Sequence, residues 1–145
     1  MENQTYNHRL LPVRVSPGTA VAAGGCIGAC LRYGISRLLP FEAGFPWATW
    51  SVNMFGCFFL GWLFTYLVVR PRVSALWKPL LGTGLTGALT TFSTFSLETV
   101  QLLEAGKLMS AAIYQLSSML CGLLLAWGGL LLAKRSCGAT GGVSR

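Results

Sequence analysis

The sequence predicts an all-α membrane protein of four transmembrane helices, and three observations carry that prediction. Charged residues make up only 10% of the chain against 53% hydrophobic, whereas soluble domains carry about 25% charged. The charges are also absent from four runs, residues 15–31, 43–69, 79–97 and 108–133, each 17 residues or longer. About 20 residues cross a bilayer core. Finally, the basic residues sit at the ends of those runs with a one-sided bias. Arg9, Arg14, Arg70, Arg72, Lys78, Lys134, Arg135 and Arg145 fall on one face, and Arg37 and Lys107 on the other. Eight against two places both termini in the cytoplasm of a multi-pass protein. The same scatter argues against nucleic acid as a partner, because no single patch forms.

With 145 residues the chain is expected to be one domain. Residues 1–18 form a polar tail, 19–134 the transmembrane part, and 135–145 a flexible glycine-rich tail. Pro12 and Pro17 break the polar N-terminal stretch, which does not resemble a cleavable signal peptide. The Asn3-Gln4-Thr5 sequon has meaning only in a secretory compartment.

Span one, residues 19–39, is rich in small residues. Gly24 and Gly28 have the spacing that lets two helices approach closely, either within the subunit or between two subunits. Cys26 and Cys30 lie one turn apart with no second pair or spanning histidine to complete a zinc site, so they read as small hydrophobes. Arg32 is the exception to the apolar pattern. Its long stem either snorkels to headgroups or places a fixed cation in an aqueous vestibule that attracts anions.

Span two, residues 47–69, opens with Trp47 and Trp50 as an interfacial aromatic belt. Asn53 follows one turn inside, and its amide needs a partner on another helix or in water.

Span three, residues 78–102, holds Thr86-Gly87-Ala88-Leu89-Thr90-Thr91-Phe92-Ser93-Thr94-Phe95. Glycine and β-branched threonine weaken a helix there. The hydroxyls of Thr90, Thr91, Ser93, Thr94 and Ser96 can serve freed backbone groups, or bond back onto an unbroken helix. A break within a membrane is tolerated only under protein or water cover, and its carbonyls are hard oxygen ligands for a small cation. Phe92 and Phe95 share a face, and ring edges turned inward could meet an anion. Gly82, Gly84 and Gly87 spell a dinucleotide-binding fingerprint, but without the strand that gives the motif meaning.

Span four, residues 108–133, aligns Tyr114, Ser118 and Gly122 as a polar stripe on a leucine-rich helix, suited to helix contact or to a pore wall. Glu104 is expected at the surface, while Glu98 is placed to be buried and partnered.

These stretches resemble the Fluc (CrcB) family of fluoride channels. The matching pieces are GGCIGACLRY (24–33), FPWATWSVNMFGCFFLG (45–61), GLTGALTTFSTFSLE (84–98) and, more weakly, YQLSS (114–118), together covering about residues 20–133 in order. The resemblance implies a four-helix subunit, broken in the third helix, that pairs head-to-tail as an antiparallel, dual-topology dimer in the bacterial inner membrane. That dimer passively exports fluoride and holds a structural sodium ion between its subunits. Carried over, Gly87 and Thr90 hold the sodium through their carbonyls. Asn53, Phe92, Phe95, Thr91, Ser93, Thr94, Tyr114 and Ser118 line the fluoride pathway, and Arg32 tends a vestibule. The chain departs from the family pattern where Ala88 follows Gly87 in place of a second glycine, and where Gly122 stands for a frequent serine. Its charge bias is also stronger than dual insertion implies, so the second subunit is either an identical copy or an oppositely oriented paralogue.

The rival is a small four-helix multidrug or guanidinium exporter, which couples transport through a carboxylate in the first span; residues 15–31 contain none. A merely structural helix-packing protein would tolerate similar-sized replacements of Asn53, Phe92 and Phe95. An enzyme is not expected, since no nucleophile–base pair or paired carboxylates are present.

Overall fold

The structure, a computed structural model, describes residues 16–41, 44–69 and 76–138. The sequon, His8, Arg9, Arg14, Arg70, Arg72 and Arg145, with most of both tails, lie outside the described residues.

Helix α1 spans Pro17–Leu38. Ser16 caps it by accepting the Thr19 N–H at 3.2 Å, and Pro17 fits the first helical position, where an N–H has no intrahelical partner. Helix α2 runs Trp47–Val69. The third segment begins as a π-helical stretch, Lys78–Thr86, and continues as α3, Gly87–Leu89. Helix α4, Phe92–Glu104, follows after a two-residue gap. Helix α5 spans Leu108–Gly138. Among the described residues all regular structure is helical.

The turn from α4 to α5 is set by Gly106, whose φ of 72° is the left-handed value that glycine adopts without penalty. Around it Lys107 N–H donates to the Leu102 carbonyl at 2.8 Å and Gly106 N–H to that of Leu103 at 3.0 Å. That pair of bonds is a Schellman closure, which satisfies the last carbonyls of α4.

Close backbone approach organises the packing. A Cβ on Gly24 would run into the Leu80 carbonyl, and one on Gly28 into that of Leu85. The small-residue pair of α1 is therefore consumed inside this chain, against the third segment. The same device joins α2 to α5, where Gly61 lies on the Ala126 carbonyl and Gly129 on that of Phe58. The wide turns of the π stretch are closed partly by side chains, with Thr86 Oγ1 donating to the Leu81 carbonyl at 2.7 Å. At its start Lys78 Nζ lies 5.6 Å from the centre of the Phe64 ring, a cation–π contact.

Leu102, Ala111 and Tyr114 form the buried core between α4 and α5, ringed by Phe41, Phe45, Trp50 and Phe95. Trp50 Nε1 donates to Ser117 Oγ at 3.2 Å, tying the start of α2 to α5. Two helices, Trp47–Val69 and Leu108–Ser136, are long and apolar enough to cross a membrane, and only 22% and 17% of their most apolar stretches are buried. A helix in the core of a soluble protein would bury most of that surface; here the leucines of α5 face outward, as lipid contact requires.

Candidate functional site

The third segment is interrupted at Thr90 and Thr91. Thr90 has φ −76° and ψ 152°, and Thr91 φ −148° and ψ 125°, both extended. Local chemistry terminates each flank. Thr90 donates twice to the Thr86 carbonyl, from its N–H at 2.9 Å and its hydroxyl at 2.9 Å. Thr91 caps α4, its hydroxyl accepting the Thr94 N–H at 3.2 Å.

Neighbouring helices satisfy the interrupted backbone. In a continued helix the Thr91 N–H would reach the Gly87 carbonyl; instead it donates to Asn53 Oδ1 at 2.9 Å. Asn53 Nδ2 donates in return to the Thr91 carbonyl at 3.1 Å. Arg32 Nε donates to the Ala88 carbonyl at 3.0 Å. The Gly87 carbonyl loses the donor that a continued helix supplies, and nothing stands within 4 Å of where a Cβ on Gly87 would sit.

Two spaces lie on either side of this gap. The larger is an open groove of about 610 Å³ whose wall includes Asn53, Cys57, Thr90, Thr91, Phe92, Phe95 and Ser118. The Phe92 and Phe95 rings are 6.0 Å apart and tilted by 32°; Phe92 is 79% exposed. Ser118 Oγ is buried on this wall without a hydrogen-bond partner. The smaller space, of about 150 Å³, is lined by Arg32, Ser36, Thr49, Thr94 and Glu98 among others, and again by Thr91. Thr91 thus walls both.

The structure distributes the site residues expected from sequence. Asn53, Thr90, Thr91, Phe92, Phe95 and Ser118 meet at the groove, while Arg32 and Thr94 face the smaller cavity. Ser93 is exposed, its hydroxyl 3.2 Å from that of Thr91. Tyr114 is fully buried and its hydroxyl turns to Glu98 Oε2 at 2.8 Å. Thr49 Oγ1 donates to the other carboxylate oxygen, also at 2.8 Å. Both partners of Glu98 went unread in the sequence, because they come from α2 and α5. Cys57 and Gly56 also went unread on the groove wall, although their spacing of four and three from Asn53 places them on its face of α2. The hydroxyls divide between roles: Thr91 caps α4, while Ser96 bonds back to the Phe92 carbonyl at 3.0 Å.

Comparison with known proteins converges on one family. The model of the CrcB-like, camphor resistance family matches residues 19–130. A protein of Oceanobacillus iheyensis called a fluoride-specific ion channel FluC is 47% identical over 113 residues, covering 78% of this chain and 88% of that protein. One of the same description from Stutzerimonas stutzeri is 44% identical over 117 residues, covering 79% and 94%. A Mycobacterium bovis protein called fluoride-specific ion channel FluC 1 is also 44% identical over 117 residues, covering 80% and 89%. The matched region takes in the interrupted third segment and both spaces beside it, and the chain belongs to the CrcB-like family.

Proposed function

We propose that this protein is a passive fluoride-selective channel that exports cytoplasmic fluoride across the bacterial inner membrane. The observation that carries this reading is the gap at Thr90–Thr91, set between an aromatic groove and a small cavity that Arg32 and Glu98 line, in a chain of the CrcB-like family. In this reading α1, α2, the interrupted third segment and α5 are the four spans of a subunit that works as an antiparallel dimer. The partner is a second copy or an oppositely oriented paralogue.

The chemistry of the gap suits two ions of opposite sign. Carbonyls at the C-terminal end of a helix carry partial negative charge, and N–H groups at an N-terminal end partial positive charge. The run from Lys78 to Leu89 ends at the gap and α4 begins there. Gly87, with its carbonyl relieved of Thr91, and Thr90 present hard oxygen ligands of the kind a small cation prefers. These two would hold the structural sodium ion at the dimer interface, where two subunits supply four such carbonyls. When bound, the ion neutralises carbonyl dipoles that lipid could not.

On the anion side, fluoride must exchange its tight hydration shell for many weak donors. Asn53 has a second N–H beyond the one given to Thr91. The unpartnered Ser118 hydroxyl adds a donor on the same wall, and the edges of Phe92 and Phe95 offer weak positive charge. Thr91, Ser93 and Thr94 extend the polar line around the gap, Tyr114 supports it through Glu98, and Arg32 draws anions toward the vestibule. No carboxylate stands in α1 to couple transport to protons, which separates this reading from a small multidrug exporter.

The test is fluoride efflux from liposomes holding the purified protein. Wild type is expected to empty them passively and Phe92→Ile to be strongly impaired. A dimeric wild type that releases no fluoride would sink the channel reading.

A further inference from the structure

We infer that Asn53 and Gly56 form a cradle on α2 that templates the interruption of the third segment, with Asn53 a positioning residue for the gap as well as a wall residue of the groove. The amide of Asn53 bonds both main-chain polar groups of Thr91, accepting from its N–H at 2.9 Å and donating to its carbonyl at 3.1 Å. The N–H is the group that the break orphans, and an unpaired buried N–H is costly; the carbonyl, which as N-cap already serves the first turn of α4, gains a second donor. Gly56, one turn along the same face, receives the Thr90 methyl: a Cβ there would collide with Thr90 Cγ2. One residue therefore supplies bonds to Thr91 and the other supplies room for Thr90.

The geometry is specific to a primary amide. It must accept from an N–H and donate to a C=O of the same residue, and an amide offers these on two separate atoms, whereas a carboxylate has no donor and a hydroxyl only one oxygen. By holding the Thr91 N–H, Asn53 also keeps the Gly87 carbonyl free. On the channel reading above, cation retention at Gly87 and Thr90 therefore depends on a side chain that need not touch the cation. This dependence links the groove wall to the cation site through one residue, Thr91.

Hydrogen–deuterium exchange on the full-length purified protein tests the cradle without reference to transport. With each of the two lost hydrogen bonds worth on the order of 1 kcal/mol, Asn53→Ala should raise exchange in the segment 90–94 by roughly thirtyfold. Exchange in α5 should stay unchanged. Asn53→Asp, which keeps an acceptor for the Thr91 N–H, should fall between Asn53→Ala and wild type. Gly56→Ala should loosen the same segment by displacing Thr90, and it reports on the cradle even should Asn53→Ala not be recovered. Equal exchange in wild type and all variants overturns the inference. So does an acceleration spread evenly over α1 to α5, which marks general loosening.

Repeating the exchange in sodium against potassium separates the two readings. Sodium should protect the segment in wild type, and Asn53→Ala should need about tenfold more of it. If sodium protects neither, the sodium part of the channel reading fails while the cradle stands on the exchange data. If sodium protects both at the same concentration, the link from Asn53 to the cation site is refuted.

Discussion

Removing the Tyr114 hydroxyl should destabilise the fold far more than one lost neutral hydrogen bond would. Tyr114 has no exposed surface, and its hydroxyl donates to Glu98 Oε2 at 2.8 Å, while Thr49 donates to Oε1 at the same distance. Glu98 itself is 7% exposed, so a lost donor is poorly replaced from bulk solvent. A hydrogen bond to a charged group contributes about 1.5–3 kcal/mol. Deleting only the hydroxyl leaves the ring volume intact, so little is lost in packing. Tyr114→Phe should therefore cost about 2 kcal/mol, equivalent to a fall of roughly 4–8 °C in Tm for a chain of this size. Thermal unfolding followed by tryptophan fluorescence in detergent measures it. A cycle with Thr49→Val assigns the effect: the double variant should cost more than the sum of the single changes, because the carboxylate then has neither donor. A Tyr114→Phe protein that melts with wild type would show that Glu98 draws no stability from Tyr114.

Ser118→Ala should leave stability unchanged or raise it by up to about 1 kcal/mol, because it removes a buried hydroxyl that has no partner; fluoride flux from liposomes should nonetheless fall, and a variant with full flux would exclude that hydroxyl from the pathway. Gly24→Ala should lower Tm, since its methyl meets the Leu80 carbonyl and overpacking costs about 1–3 kcal/mol; an unchanged melting curve would mean that α1 does not rest on the third segment. Gly106→Ala should cost about 1 kcal/mol through its positive φ alone, with flux at fixed protein amount preserved.

Much of the helical layout was legible because it follows from where charge stops. The charge-free run 43–69 anticipates α2 at Trp47–Val69 closely, because lipid-facing length and helix length coincide there. They part at the C-terminal end, where α5 runs on to Gly138 through Lys134 and Arg135; charge marks where the membrane ends and does not stop a helix. The interruption is anticipated by glycine and β-branched residues that weaken a helix locally. What holds it was beyond reach, since Asn53 and Arg32 lie 38 and 56 residues from their partners. A lone amide in an apolar run announces that it needs a partner, but not which one. Likewise the spacing of Gly24 and Gly28 declares close approach while saying nothing of whose backbone approaches. Here it is the chain's own, on a π-helical stretch whose extra residue per turn leaves no trace in composition. Tyr114 read as part of a polar stripe because helical spacing fixes direction around α5, while its burial depends on α4.

The paired glycine contacts of α2 and α5 have a further consequence. Gly61 against the Ala126 carbonyl and Gly129 against that of Phe58 join main chain to main chain at two points, without long side chains in between to flex. Asn53 and Ser118 are carried on these same two rods, short of the joints. The placement of an amide on one relative to a hydroxyl on the other is thereby set by main chain, so thickening either joint would move the two sides of the groove apart.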